Sequence, residues 1–215
     1  PHRHPAVSPD VFVAPNATVI GGVSLGSRAS VMYGAVVRGD LNAVSVGAYS
    51  CIGDRAVVST TKSVEGHVSA GVSIGHHVLV GPGALLQSCT VEDGAVIGAG
   101  AIIMEGALVE KGAHVAEGAV VHPGRRIPAD QVWAGNPAVY VRDATKSELA
   151  AVEGHAEEAA DVAAEHAHEF LPYTNAYAAA ERLGVADDAV KAINAAQAAY
   201  EAGARSAGPA PPKMG

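Results

Sequence analysis

The sequence has few aromatic residues and fewer basic than acidic ones. Aromatic residues make up only 4% of the 215 residues, although hydrophobic residues make up 49%. A core with so few rings must be built from small aliphatic side chains, which suit a narrow, repetitive interior better than a broad globular one. The net charge of −8 argues against a nucleic-acid-binding protein, because contact with phosphates requires a basic surface.

Cysteines and long hydrophobic runs are also scarce. The two cysteines, Cys51 and Cys89, are too few for a disulfide framework, and we interpret them as reduced packing residues. No run reaches the roughly 18 apolar residues that a membrane span needs. The sequence therefore predicts no transmembrane helix.

Aliphatic residues recur at every sixth position along most of the chain. A period of six fits neither an α-helix nor the alternation of a flat sheet. It fits a chain that turns a corner every six residues with one inward side chain per side, and three sides form a triangular coil. We therefore predict a mainly β protein with a parallel β-helix over residues 11–142, after an N-terminal segment at 1–10. The longest series comprises Val91, Ile97, Ile103, Val109, Val115, Val121, Ile127 and Trp133.

The repeat is interrupted twice and then replaced by a helical pattern. Residues 59–73 are too many for a corner and predict a projecting loop, and one residue is missing from the count between Leu86 and Val91. A capping box from Thr145 to Glu148 predicts a helix to about Phe170, with further helices at about 175–183 and 186–203. Residues 143–207 are thus predicted to be a C-terminal helical extension, and residues 208–215 a disordered tail.

Three segments together resemble the γ-class carbonic anhydrases over about residues 10–145. They are Arg38-Gly39-Asp40, the coils from Val80-Gly81 to Cys89 and on to Gly100, and the exit Gly135-Asn136-Pro137-Ala138. The resemblance implies that the β-helix is left-handed. It also implies a trimer in which three histidines bind zinc between neighbouring subunits, with Arg38 and Asp40 as the intersubunit and site-organising pair.

The three zinc-ligand positions of that family are occupied by other residue types in this chain. Ser59, Pro82 and Gln87 stand where the resemblance places histidines, and Gly53 replaces a family glutamine. Catalytic zinc requires about three N, O or S ligands and lowers the pKa of its bound water to about 7. Proline has no side-chain donor, and serine and glutamine are poor zinc ligands. We therefore expect no catalytic residue, no metal and no cofactor.

The pattern resembles the γ-carbonic-anhydrase-like subunits of plant and algal mitochondrial complex I. It implies a structural subunit in a heterotrimer with γ carbonic anhydrase relatives, bound to membrane-arm subunits. The implied location is the matrix side of the inner membrane, peripheral to it, with the transit peptide absent from this chain. Two alternatives remain: a hexapeptide-repeat acyltransferase with His76 or His114 as its base, and a β-helix adaptor in another assembly.

The remaining histidines have simpler interpretations. His76 and His77 could form a remodelled metal site, but exposed side-wall positions are the simpler interpretation. His114 and His122 are adjacent to inward positions and should point outward. The helical histidines His155, His166 and His168 are predicted to be solvated, and His67 lies in the projecting loop.

Overall fold

The computed structural model describes residues 4–64 and 69–169, without the side chains of the last two. The histidine at 67, the side chain of His168, the helices predicted after residue 170 and the predicted tail lie outside the described residues. The described chain forms one compact unit of short strands followed by a helix. The elements are β1 (Ala6–Val7), β2 (Phe12–Val13), β3 (Thr18–Leu25), β4 (Ser30–Val31), β5 (Val36–Val46), β6 (Cys51–Ile52), β7 (Val57–Ser59), β8 (Val72–Ile74), β9 (Leu79–Val80), β10 (Leu85–Gln87), β11 (Thr90–Val91), β12 (Val96–Ile97), β13 (Ile102–Ile103), β14 (Leu108–Val109), β15 (His114–Val115), β16 (Val120–Val121), β17 (Arg126–Ile127), β18 (Gln131–Ala134), β19 (Val139–Asp143) and α1 (Lys146–Glu169).

The strands stack into three walls of a left-handed parallel β-helix, as the period of six and the family resemblance together predict. Wall one is formed by the first halves of β3 and β5, followed by β7, β10, β13 and β16. Wall two is formed by β1, the second halves of β3 and β5, then β8, β11, β14 and β17. Wall three runs from β2 through β4, β6, β9, β12 and β15 to β18, and β19 closes it as an antiparallel strand. Strand β1 lies ahead of residue 11, where the β-helix was predicted to begin.

The interior is a set of in-register ladders of aliphatic side chains. Each inward residue stacks on its counterpart in the next coil, so that every member is removed from water. Full burial of such a side chain contributes about 1.5–3 kcal/mol. Alanines fill the narrower space near a corner, which explains how the core forms with so few rings. The ladder of wall one comprises Val37, Val58, Leu86, Ile103 and Val121, each 0% exposed.

The corners require left-handed backbone, and glycine supplies it in the later coils. Between walls one and two, Gly106 and Gly124 have φ of 71° and 65°. Glycine adopts this conformation without steric cost, because it has no Cβ. The residue at the same corner of the preceding coil is Ser88, with φ of 42°. The repeat is one residue short between Leu86 and Val91, and the shortening falls at this corner.

Helix α1 lies against the outside of wall three. Its buried face consists of Val152, Ala156, Ala160 and Ala163, whose small side chains allow close approach to the wall. The capping box forms: the Thr145 hydroxyl accepts a hydrogen bond from Glu148 N at 3.2 Å, and Glu148 Oε2 accepts one from Thr145 N at 2.8 Å. Within the described part of the chain, no helix combines the length and apolar character needed to cross a membrane.

Candidate functional site

The candidate site lies at the edge where wall one meets wall two. Pairing of β3, β5, β7 and β10 places Ile20, Arg38, Ser59 and Gln87 in one outward-facing ladder. Neighbouring strands lie about 4.8 Å apart, so the side chains of Ser59 and Gln87 emerge side by side on the surface. The structure thus brings together two of the three positions at which the resemblance implies zinc ligands.

Pro82 lies apart from this pair, at the opposite edge of wall one. It stands in the corner between β9 and β10, and its carbonyl accepts a hydrogen bond from Gly100 N at 2.8 Å. Its side chain is exposed. A site using all three positions would therefore take Ser59 and Gln87 from one subunit and Pro82 from a neighbour.

The residues present do not fit a zinc ion. The three positions offer a hydroxyl, a carboxamide and a pyrrolidine ring with no donor atom, whereas zinc in proteins is held by thiolate, imidazole and carboxylate groups. Within residues 4–64 and 69–169, no group of three or more His, Cys, Asp or Glu side chains is placed to hold a metal ion.

The backbone around Gly53 also disfavours the glutamine that the resemblance places at this position. Gly53 N donates a hydrogen bond to Val80 O at 2.8 Å. A Cβ at this position would lie 2.6 Å from that carbonyl oxygen, so any side chain requires the backbone to shift. The glycine is thus built into the stacking of the coils.

Arg38 and Asp40 form an ion pair within their own strand. Arg38 Nη2 lies 2.6 Å from Asp40 Oδ2, and the other carboxylate oxygen accepts a hydrogen bond from Leu41 N at 3.0 Å. The Arg38 guanidinium holds the pKa of the Asp40 carboxyl below its usual range. Because both side chains are exposed, the pair adds little to the stability of one chain, and it orients two charged groups on an open surface.

A hydrogen-bonded cluster that sequence reasoning missed borders the same edge. Asn42 Nδ2 donates to the carbonyls of Thr61 and Lys62, and Asn42 N donates to Thr60 Oγ1 at 3.2 Å. In the next coil the Ser88 hydroxyl accepts a hydrogen bond from Thr61 N at 2.8 Å. The available signal was a serine at a corner where the following coils have glycine.

His76 and His77 lie on a corner between walls two and three. His76 is exposed, and its Nδ1 accepts a hydrogen bond from Ala48 N at 2.9 Å. The His77 ring stacks on Tyr49 with centroids 5.2 Å apart. Both side chains thus support the stacking of coils.

His114 points out of the coil, as predicted, but it is half-buried. Helix α1 covers it, in a groove that also includes Leu79, Val96 and His155. Its Nε2 is buried and has no hydrogen-bond partner, and burial lowers the pKa of the imidazole. His122, by contrast, is exposed, as predicted.

The prediction that His166 is solvated is wrong. Its Nδ1 lies 2.7 Å from the Tyr33 hydroxyl, and its ring meets Phe12 edge-on at 6.2 Å. The helix places this face against the start of the β-helix, which the spacing of residues within the helix could not reveal. His155 is exposed, as predicted.

The cysteines match their predicted role. Both are free thiols, Cys89 is buried, and Cys51 is half-buried. Burial raises the pKa of the Cys89 thiol to about 12. This thiol therefore stays protonated and packs as a small hydrophobic group.

Known proteins similar to this chain include carbonic anhydrases from plants and archaea. The mitochondrial γ carbonic anhydrase 2 of Arabidopsis thaliana is 43% identical over 168 residues, which are 78% of this chain and 60% of that protein. The mitochondrial γ carbonic anhydrase-like 1 of the same plant is 40% identical over 186 residues, covering 85% of this chain and 74% of that protein. A probable carbonic anhydrase of Methanocaldococcus jannaschii is 41% identical over 150 residues, covering 70% of this chain and 91% of that protein.

The chain belongs to the γ carbonic anhydrase family. That family includes the carbonic anhydrase-like relatives, so membership by itself does not establish hydratase activity. The chain spans less than two thirds of the length of γ carbonic anhydrase 2. No protein-family model matches the chain.

Solved structures share the fold of this γ carbonic anhydrase relative. A hexapeptide transferase family protein from Anaplasma phagocytophilum superposes with a TM-score of 0.70 at 33% identity, over 75% of this chain and 92% of that one. An acetyltransferase-like protein from Bacillus cereus gives a TM-score of 0.71 at 25% identity, over 76% and 92% of the two chains. The β-helix is therefore shared with proteins named as transferases.

Proposed function

We propose that this chain is a non-catalytic structural subunit of a γ carbonic anhydrase heterotrimer on the matrix side of mitochondrial complex I. The observation that carries the proposal is the chemistry at Ser59, Pro82 and Gln87. Without ligands that hold zinc, the chain has no means of lowering the pKa of a water molecule to about 7. The coil itself does not depend on a metal, because its buried aliphatic ladders stabilise it.

The exposed surface of wall one supports an assembly role. Ile20 is 46% exposed and Leu41 is 48% exposed, and both border the Arg38–Asp40 pair. Two exposed apolar side chains with an arginine beside them are compatible with a surface that meets another subunit, because arginine is enriched at interfaces. Wall three is covered by α1, so wall one is a better candidate than wall three for contact with a neighbour.

The placement in mitochondria rests on relatives whose names include that compartment. Placement in complex I rests on the resemblance to its γ-carbonic-anhydrase-like subunits. Peripheral attachment to the membrane agrees with the absence of a membrane-spanning helix from the described residues.

The position of Pro82 has a consequence for the whole trimer. If every site takes two ligands from one subunit and one from its neighbour, a single chain of this type takes part in two of the three interfaces. Only the interface between the other two subunits then keeps a complete set of ligands.

The acyltransferase alternative has support from the fold shared with the transferase-named structures. Its candidate bases are poorly placed: His114 Nε2 is buried beneath α1, and His76 Nδ1 is already hydrogen-bonded to Ala48 N. We therefore rank this function second, with an adaptor role in another assembly as the third.

Co-purification from mitochondrial membranes tests the proposal. Mass spectrometry of a tagged full-length chain should recover γ carbonic anhydrase relatives and complex I subunits. I20E should lose these partners, because it buries a carboxylate in the interface. V162E is the matched control, since Val162 is also 46% exposed but lies on α1, and it should keep them. Recovery of another assembly, or equal recovery with I20E, would contradict the proposal, and acetyl-CoA binding by calorimetry would favour the transferase.

A further inference from the structure

Ser88 occupies a corner that glycine occupies elsewhere. It has φ of 42°, whereas Gly106 and Gly124 take the corresponding corners of the next two coils. A residue with a Cβ is disfavoured in this region of backbone conformation. Glycine would avoid this cost, and the hydroxyl is the group that Ser88 has and glycine lacks.

The Ser88 hydroxyl bonds to both ends of an excursion of the chain. The preceding coil leaves the helix after Ser59 and returns at Val72, and we call residues 60–61 and 70–71 the neck of this excursion. Ser88 Oγ donates to Ala70 O at 2.7 Å and accepts from Thr61 N at 2.8 Å. Its single proton is thus used, and Ser88 Oγ also lies 3.0 Å from Thr61 Oγ1.

The neck is also held from the coil above. Asn42 N donates to Thr60 Oγ1, and the Asn42 amide bonds to the carbonyl of Thr61. Beyond the neck, Val64 lies against Gly106, where a Cβ would be 3.0 Å from Val64 Cγ1. The neck therefore connects the segment containing Arg38 and Asp40 to the corner at Ser88.

We infer that Ser88 is a positioning residue that fixes this neck and, through it, the edge of wall one that carries Arg38 and Ser59. Ser88 is 0% exposed, so water does not replace its hydroxyl when that group is removed without a local opening. The hydrogen bonds of Ser88 Oγ to Ala70 O and Thr61 N, which we call the clasp, lie within one chain. Only the consequence of the clasp, a fixed surface for a neighbouring subunit, rests on the assembly role proposed above.

The sharpest test is Ser88→Gly in the full chain. This variant removes the hydroxyl and places glycine at a backbone conformation that glycine adopts without strain. Any loosening of the neck then results from the lost hydrogen bonds and not from backbone strain. Hydrogen exchange of the Thr61 amide should accelerate about tenfold or more. Tryptic cleavage after the exposed Lys62 should accelerate with it, while the melting temperature stays near that of the parent.

Ser50→Ala is the matched control. Ser50 is also 0% exposed, and its hydroxyl donates to Gly75 O and accepts from Val78 N, at a corner away from the neck. It should lower the melting temperature and leave Thr61 exchange unchanged. Unchanged Thr61 exchange in Ser88→Gly, or equal acceleration in Ser50→Ala, would overturn the inference. Because both readouts use the isolated chain, loss of the clasp and failure of the assembly role are distinguished.

Discussion

At the scale of single residues, side-chain chemistry at three positions is the basis for proposing that this chain is not a hydratase. Ser59 and Gln87 are neighbours on one wall, as two ligands of a shared site would be, but they supply only a hydroxyl and a carboxamide. Pro82 supplies no donor atom at all. Two of the positions that the resemblance implies as zinc ligands are adjacent, and none of the three side chains is a good zinc ligand.

The buried Nε2 of His114 makes stability depend on pH in a specific direction. Burial lowers the pKa of this ring from 6.5, with Glu148 and Asp130 opposing the shift and Arg142 reinforcing it. Below about pH 6.5 the unfolded chain binds a proton that the folded chain resists. This residue therefore adds no pH dependence above that pH, and stability falls as the pH drops toward the folded-state pKa.

Replacing His114 with leucine should flatten this dependence. Leucine suits a groove lined by Leu79 and Val96 and carries no titratable group. Urea unfolding at pH 7.5 and pH 5.5 should show a smaller loss of unfolding free energy for His114→Leu than for the parent. His122→Leu, at an exposed histidine, should behave like the parent, and the same loss in both variants would contradict the assignment.

At the scale of elements, the sequence pattern predicted how the coils stack. It did not predict which other parts of the chain pack against the outside of the coils. The period of six follows directly from one inward side chain per wall, so Ile97 and Ile103 could be assigned to the core without coordinates. The clasp at Ser88 could not be predicted, because it joins residues from different coils through a single hydroxyl.

Local sequence patterns also did not predict that α1 covers wall three. The capping box located the start of α1, since it depends on residues three apart. Which wall the helix covers depends on tertiary packing, so the burial of His114 and His166 did not follow from their spacing. The three ligand positions were named from the family resemblance, and the structure adds where they lie.

The capping box offers a test of how strongly the start of α1 is held. Thr145→Ala removes the hydroxyl that accepts from Glu148 N and should lower the unfolding free energy by about 1 kcal/mol. Ser147→Ala is the control, because Ser147 is exposed in the same turn and is not the capping residue. Chemical denaturation measures both, and equal effects would argue against the cap as the stabilising contact.

At the scale of the whole molecule, the side chains that stabilise the fold differ from those at the candidate site. The stacked aliphatic ladders form the core, and among the described residues α1 covers wall three and not wall one. Such a chain can lack zinc ligands and still keep its fold. This is the physical basis for proposing a structural subunit in a family of enzymes.

Zinc content of the purified assembly tests the central claim most directly. In a trimer of this chain with two γ carbonic anhydrase relatives that keep their histidines, elemental analysis after dialysis should find about one zinc ion, at the interface that excludes this chain. The triple variant S59H/P82H/Q87H provides the comparison and should raise the zinc content of the same trimer. About three zinc ions in the assembly with the unaltered chain would contradict the claim.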